Sequence, residues 1–105
     1  MDRHQELTAG FIMELQRSGW SPRKNKGIQK VDPEGGYYIA DGLFDKDGEV
    51  LVLEVGCLKR DKCEGLRPLI ESGKLSLLHV SYSGDIQFFD RSYFPKSWPY
   101  SSFTL

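Results

Sequence analysis

The feature that most restricts the fold is an unbroken apolar run, Val50-Leu51-Val52-Leu53, which is followed directly by Glu54. A strand with one face in water would alternate apolar and polar residues. The unbroken run therefore predicts a strand buried on both faces, at the centre of a sheet. Glu54 then carries a charge at the end of a buried strand, where a carboxylate needs a partner, a metal ion or contact with water.

A second acid, Asp41, lies on the strand that precedes this run. The sequence predicts a strand over residues 37–44, a tight turn at Asp45-Lys46-Asp47-Gly48 and the buried strand over residues 49–55. Residues on neighbouring antiparallel strands lie side by side. The hairpin is therefore expected to bring Asp41 close to Glu54.

Helices are predicted on both sides of this hairpin. Residues 6–18 repeat apolar side chains at Leu7, Phe11 and Leu15, which is typical of a helix with one buried face. A second helix is predicted over residues 62–72, with Asp61 as its N-cap. Further strands are predicted over residues 28–31, 75–82 and 86–89. This order predicts an α/β (α+β) fold, with a central mixed sheet of about four to five strands flanked by two helices.

The chain has 105 residues and is expected to form a single domain over residues 1–92, followed by a tail over residues 93–105. No apolar run approaches the roughly 18 to 20 residues of a membrane span, and the start lacks the layout of a signal peptide. We therefore expect no membrane partner and a cytoplasmic, intracellular location. The tail carries aromatic side chains that are candidates for contact with a protein partner: Tyr93, Phe94, Trp98, Tyr100 and Phe103.

The cysteines and histidines do not have the spacing of a zinc site. Cys57 and Cys63 are separated by five residues, and only His4 and His79 could complete a set of ligands. Two cysteines do not make a disulfide framework either. We therefore expect reduced thiols and a structural role for His79.

Basic residues lie on both sides of the two acids. The net charge of −1 gives no overall basic footprint. Two clusters are nevertheless candidates for contact with the phosphates of a nucleic acid. They comprise Arg23, Lys24, Lys26 and Lys30 before the hairpin, and Lys59, Arg60, Lys62 and Arg67 after it.

Two adjacent carboxylates repel each other, and a divalent cation with oxygen ligands removes that repulsion. Asp41 and Glu54 therefore form a candidate site for Mg2+ or Mn2+, which suits the hydrolysis of phosphodiesters. Glu14 lies at the edge of the apolar stripe of the first helix. It is either a third ligand or a solvated glutamate.

The segments Ile39-Ala40-Asp41-Gly42 and Leu53-Glu54-Val55 resemble the two halves of the motif of the PD-(D/E)XK nuclease superfamily. The nearest likeness is to the small Holliday-junction-resolving nucleases, and it extends from the first helix to residue 89. The resemblance implies a restriction-endonuclease-like fold that cleaves DNA. It also implies that Asp41 and Glu54 are metal ligands, with Glu14 as the helical acid of some members.

The chain departs from this family at Gly56, where the motif has a lysine. That lysine is implied to orient the attacking water and to stabilise negative charge. We take Lys59 as its replacement from the next turn, and Lys62 is a second candidate. The first hypothesis is a metal-dependent DNA nuclease, for which a homodimer would suit a symmetric substrate.

Two further hypotheses remain. One is an inactive nuclease-like fold that serves as a nucleic-acid or protein interaction module, which the glycine at position 56 and the near-neutral charge favour. The other is an unrelated α+β domain whose acids are merely solvated.

Overall fold

Two helices and seven strands make up residues 2–92, the part of the chain that the computed structural model describes, apart from the side chain of Pro33. The predicted tail, residues 93–105, lies outside this part. The elements in chain order are α1 (Arg3–Arg17), β1 (Ser21–Pro22), β2 (Gly27–Gln29), β3 (Tyr37–Ile39), β4 (Gly42–Lys46), β5 (Glu49–Val55), α2 (Arg60–Glu71), β6 (Ser76–Val80) and β7 (Ile86–Phe89), with a 3-10 turn at Pro33–Gly35.

The main sheet has five strands in the order β1-β4-β5-β6-β7. Strand β5 lies at its centre, antiparallel to β4 and parallel to β6. A parallel pair needs a crossover connection, and α2 supplies it between β5 and β6. The fold is therefore α+β with a mixed sheet and two helices, which confirms the predicted fold class.

The two faces of β5 belong to two separate parts of the core. Val52 packs with Leu66 and Ile70 of α2 on one face. Leu53 lies in a cluster on the other face, against which Phe11 and Leu15 of α1 pack. Because both helices press on this strand, its residues from 51 to 55 are all buried. The prediction of a central strand buried on both faces is confirmed.

The predicted strand over residues 37–44 is instead two strands in two different sheets. Strand β3 pairs with β2 in a separate two-stranded sheet, whereas β4 pairs with β5. The chain changes sheets at Ala40 and Asp41, where the Ala40 N–H donates to the carbonyl of Lys26 and the Asp41 N–H to that of Leu53. Asp41 therefore lies at a junction and not within a strand.

The hairpin between β4 and β5 sets the register of the sheet. Asp47 and Gly48 both have positive φ, 52° and 80°, as a type I′ turn requires. The paired residues then run from Lys46 with Glu49 to Gly42 with Leu53. The next residues outward are Asp41 and Glu54, which places the two acids at the same end of the hairpin.

Both helices begin earlier than predicted. Helix α1 starts at Arg3 because Asp2 caps it, in a capping box with Gln5. Helix α2 starts at Arg60, with Lys59 at the N-cap position and no side-chain cap, so Asp61 lies in the first turn instead of at the cap. Among the described residues, no helix is long and apolar enough to cross a membrane.

Candidate functional site

Asp41 and Glu54 lie at the same, open end of the β4–β5 hairpin. The Asp41 backbone N–H donates to the Leu53 carbonyl at 3.2 Å, and its carboxylate Oδ2 accepts from the Val55 backbone N–H at 2.7 Å. The backbone of β5 therefore holds the Asp41 side chain beside the end of that strand. The negative charge of Asp41 also contributes to raising the pKa of Glu54. The structure thus places the two acids that the sequence singles out at the same end of the hairpin, where the charge of one affects the other.

Glu54 is a buried acid, with 6% of its surface exposed. Burial is the main cause that raises the pKa of Glu54 to about 7, and the Lys62 ammonium opposes that rise. Part of the Glu54 population is therefore neutral near neutral pH. A further cation would favour the charged form.

The Lys62 ammonium lies 2.7 Å from Glu54 Oε1. The two groups form an ion pair, which lowers the pKa of Glu54 against the effect of burial. Lys62 Nζ also donates to the Ile39 carbonyl at 2.7 Å. Glu54 Oε1 is therefore buried against a cation that the protein itself supplies.

His4 is a member of the site that the sequence did not indicate. Its Nε2 lies 3.1 Å from Asp41 Oδ1, and both side chains are partly exposed. Its ring also meets Tyr82 edge to face, with 6.3 Å between the ring centroids. No local pattern marks this histidine, because only the packing of α1 on the sheet brings its first turn to Asp41.

The space around Gly56, two residues after Glu54, is filled. The φ of Gly56 is +93°, and a Cβ there would lie 2.6 Å from the Tyr82 ring. Its carbonyl oxygen lies 2.6 Å from His79 Nε2, and that histidine is buried, with 4% exposure. The Tyr82 ring thus occupies the space that any side chain at position 56 would need. His79 contacts the carbonyl oxygen of Gly56.

The lysine beside the acids is Lys62 of α2. Lys59, the predicted replacement for the motif lysine, is an exposed residue at the N-cap position of α2. Lys62, the second candidate for that role and a member of the second basic cluster, has a side chain only 20% exposed and paired with Glu54. Of the two candidate lysines, Lys62 is therefore the one in contact with Glu54.

Glu14 lies away from the other acids. It is exposed on α1 and pairs with Arg17 at 2.7 Å. His4 is the residue of α1 that contacts Asp41. Glu14 follows His4 by ten positions, which is about 15 Å along a helix axis. The structure does not bring Glu14 to Asp41 and Glu54, and its surroundings are those of a solvated glutamate.

Apart from Lys59 and Lys62, no contact links the basic residues of the predicted clusters to the two acids within residues 2–92. Arg23 makes two hydrogen bonds of 2.6 Å to Asp45, toward the opposite end of β4. Arg67 pairs with Glu71 at 3.1 Å, and the Lys30 ammonium lies 4.8 Å from the Tyr38 ring centroid. The remaining members, Lys24, Lys26 and Arg60, have exposed side chains.

Within residues 2–92, no group of three or more His, Cys, Asp or Glu residues could hold a metal ion. Structural zinc takes about four protein ligands and calcium about six to eight oxygens, whereas magnesium uses one or two carboxylates with waters and substrate phosphates. If the two carboxylates Asp41 and Glu54 held a metal ion, their number and chemistry would suit magnesium better than zinc or calcium. Burial raises the pKa of the Cys63 thiol to about 12, which keeps it neutral and unsuited to metal binding.

Comparison of the chain with protein-family models, with curated proteins and with solved structures gave no match. The residues of the site are therefore the basis for a functional assignment. The likeness of the two motif segments to the PD-(D/E)XK nucleases is carried forward as a proposal.

Proposed function

We propose that this protein is a nuclease that cleaves the phosphodiester bonds of DNA with the help of Mg2+ or Mn2+. Asp41 and Glu54 are its metal ligands, and Lys62 replaces the lysine missing at position 56. The observation that supports this most is the buried Glu54 carboxylate, 2.7 Å from the Lys62 ammonium, at the same strand end as Asp41.

The metal ion, when bound, activates water and neutralises charge on the phosphate. The protein supplies the oxygens that hold it, and the Val55 N–H fixes the orientation of Asp41 at 2.7 Å. Lys62 is held in place by its hydrogen bond to the Ile39 carbonyl. Its ammonium can therefore stabilise the negative charge that grows on the phosphate in the transition state.

In this proposal, exposed cations near the site contact the phosphates of the DNA backbone. Lys59 and Arg60 lie at the start of α2, close in sequence to Lys62. Phosphates are favoured at helix N-termini and beside lysine and arginine. Lys24 and Lys26 are exposed on the loop before β2 and are further candidates for contact with phosphates.

A cleavage assay tests the proposal. Linear and branched DNA are incubated with Mn2+ and the wild type, Glu54→Gln, Lys62→Met or Lys59→Met. We expect Glu54→Gln and Lys62→Met to lower the cleavage rate by about 100-fold, the effect of removing one group that stabilises the transition state. Lys59→Met is the matched control and should change the rate only severalfold. Equal cleavage by wild type and Glu54→Gln would refute the proposed site.

A second candidate function is an inactive nuclease-like domain that binds nucleic acid or another protein. The glycine at position 56, with Tyr82 packed over it, favours this alternative. It predicts DNA or protein binding that needs no metal, together with no cleavage by the wild type on any of the DNA substrates.

A further inference from the structure

A cavity of about 380 Å³ opens beside Glu54, between β3 and the start of α2. This volume lies in the range of about 300 to 1,000 Å³ that is usual for sites that bind small molecules. Its lining includes Glu54 and Lys62 of the proposed catalytic site. A molecule in the cavity would therefore contact the group that we propose to act on the phosphate.

The cavity combines apolar side chains with two lysines and two acids, Glu54 and Asp61. Tyr37 and Ile39 of β3 line it and are 62% and 69% exposed. Lys59 and Lys62 line it from the side of α2. An exposed aromatic ring next to lysines is the combination by which proteins hold single-stranded nucleic acid, because the base stacks on the ring and the phosphate meets the cations.

Two hydrogen bonds fix the walls of the cavity relative to each other. The Tyr38 hydroxyl donates to the Asp61 carbonyl at 3.4 Å, and Lys62 Nζ donates to the Ile39 carbonyl at 2.7 Å. Strand β3 is thus attached to the first turn of α2 at two points. The cavity is formed before a ligand arrives, which lowers the cost of binding.

We propose that this cavity takes the base of an unpaired nucleotide that flanks the phosphate to be cleaved. A base inside a duplex is stacked between its neighbours and cannot enter such a cavity without leaving the helix. The preferred substrate is therefore single-stranded DNA, or a branch or end that offers an unpaired nucleotide. This inference rests on the proposed nuclease function and specifies its substrate.

A second cavity provides an internal control. It has a volume of about 360 Å³ and lies at the opposite end of β5, where Trp20 and Phe88 line it. Neither Asp41 nor Glu54 lines it. Phe88 is an exposed aromatic residue, as Tyr37 is, with exposures of 45% and 62%. Phe88→Ala therefore removes a comparable ring away from the proposed site.

The test is a binding titration with the full chain in the presence of a chelator. Fluorescence anisotropy of the labelled DNA measures the binding. The probes are a labelled oligothymidylate and its blunt duplex with oligodeoxyadenylate. We expect the single strand to bind more tightly than the duplex. Tyr37→Ala should weaken binding of the single strand by about fivefold or more, the usual effect of losing one base–aromatic stack. Tyr37→Phe keeps the ring and should keep the affinity.

The outcomes separate this inference from the nuclease proposal. If Tyr37→Ala binds oligothymidylate as wild type does, or if Phe88→Ala weakens binding equally, the cavity is not the base site. Tighter binding of the duplex also overturns the inference. If Tyr37→Ala weakens binding but the wild type cleaves no DNA with Mn2+, the cavity is supported and the nuclease proposal fails.

Discussion

Glu54 shows how burial changes the behaviour of a carboxylate. An exposed glutamate is charged and hydrated at neutral pH. In this protein 6% of Glu54 is exposed, and the Lys62 ammonium lies 2.7 Å from its Oε1. Because burial still raises the pKa of Glu54, the ion pair offsets only part of the free energy lost by dehydrating the acid.

Burial of Glu54 predicts a specific dependence of stability on pH in the metal-free protein. The pKa of Glu54 rises from 4.5 to about 7 on folding. Between these values the folded protein holds a proton that the unfolded chain has released. The contribution of Glu54 to the free energy of unfolding therefore falls as pH rises, by about 3 kcal/mol in total.

Urea unfolding of the wild type and Glu54→Gln in chelator, over a series of pH values, measures this effect. The variant should gain stability relative to the wild type as pH rises across the interval and then level off. Because all other titrating groups are shared, the difference isolates Glu54. A stability difference that does not vary with pH would show that the folded protein does not perturb this carboxyl.

The backbone conformation at position 56 and the adjacent Tyr82 ring both restrict this position to glycine. Its φ of +93° is matched by +92° at Gly84, where nothing lies within 4 Å of a Cβ. Gly84→Ala should cost about 1 to 2 kcal/mol for the left-handed backbone alone. Gly56→Ala should cost about 1 to 3 kcal/mol more, because the Tyr82 ring must move.

Chemical denaturation of the two variants gives the comparison, and the double variant Gly56→Ala/Tyr82→Ala supplies the control. Removing the ring should abolish the additional cost of the methyl group at position 56. Equal losses of stability in Gly56→Ala and Gly84→Ala would mean that Tyr82 does not occupy this space.

At the scale of elements, α1 and α2 each contain a glycine, and the two should respond oppositely to the same substitution. Gly10 of α1 has nothing within 4 Å of a Cβ, whereas a Cβ on Gly65 of α2 would run into the Tyr38 hydroxyl. Gly10→Ala should therefore stabilise the protein by about 0.5 to 1 kcal/mol through helix propensity. Gly65→Ala should destabilise it, because Tyr38 would lose its contact with Asp61.

Thermal or urea unfolding of both variants tests whether the two changes in stability have opposite signs. Tyr38→Phe serves as the control, because it removes only the hydroxyl that meets position 65. If Gly65→Ala is as stabilising as Gly10→Ala, β3 does not pack against α2 as described, and the wall of the cavity beside Glu54 is misplaced.

The elements that could be predicted from sequence are those with a strong local pattern. The apolar run identified β5 as central, and the turn at Asp47 and Gly48 identified the hairpin. The division of residues 37–44 into β3 and β4 was not predicted, although Asp41-Gly42 is a turn signal, because the residues on both sides of it are strand-like. The hydrogen-bond partners determine the division. The Ala40 N–H donates to the Lys26 carbonyl, and the Asp41 N–H donates to the Leu53 carbonyl.

At the scale of the whole molecule, the site contains residues of the sheet and of the helices on both of its faces. His4 comes from α1, Asp41 and Glu54 come from the hairpin end, and Lys62 comes from α2. The hairpin register alone predicts that the two acids meet. The places of His4 and Lys62 depend on how each helix packs on its face of the sheet, which no short stretch of sequence encodes. Lys59 and Lys62 could not be told apart for the same reason.

We propose that Asp41 and Glu54 bind one divalent cation, and a titration with Mn2+ that is monitored by NMR tests this directly. Bound Mn2+ broadens the signals of nearby nuclei. We expect saturable broadening of the backbone amides of Asp41, Glu54 and Val55. It should disappear in both Asp41→Asn and Glu54→Gln and persist in Glu14→Gln, which changes an exposed acid on α1. Broadening that does not saturate, or that persists in Glu54→Gln, would contradict the claim.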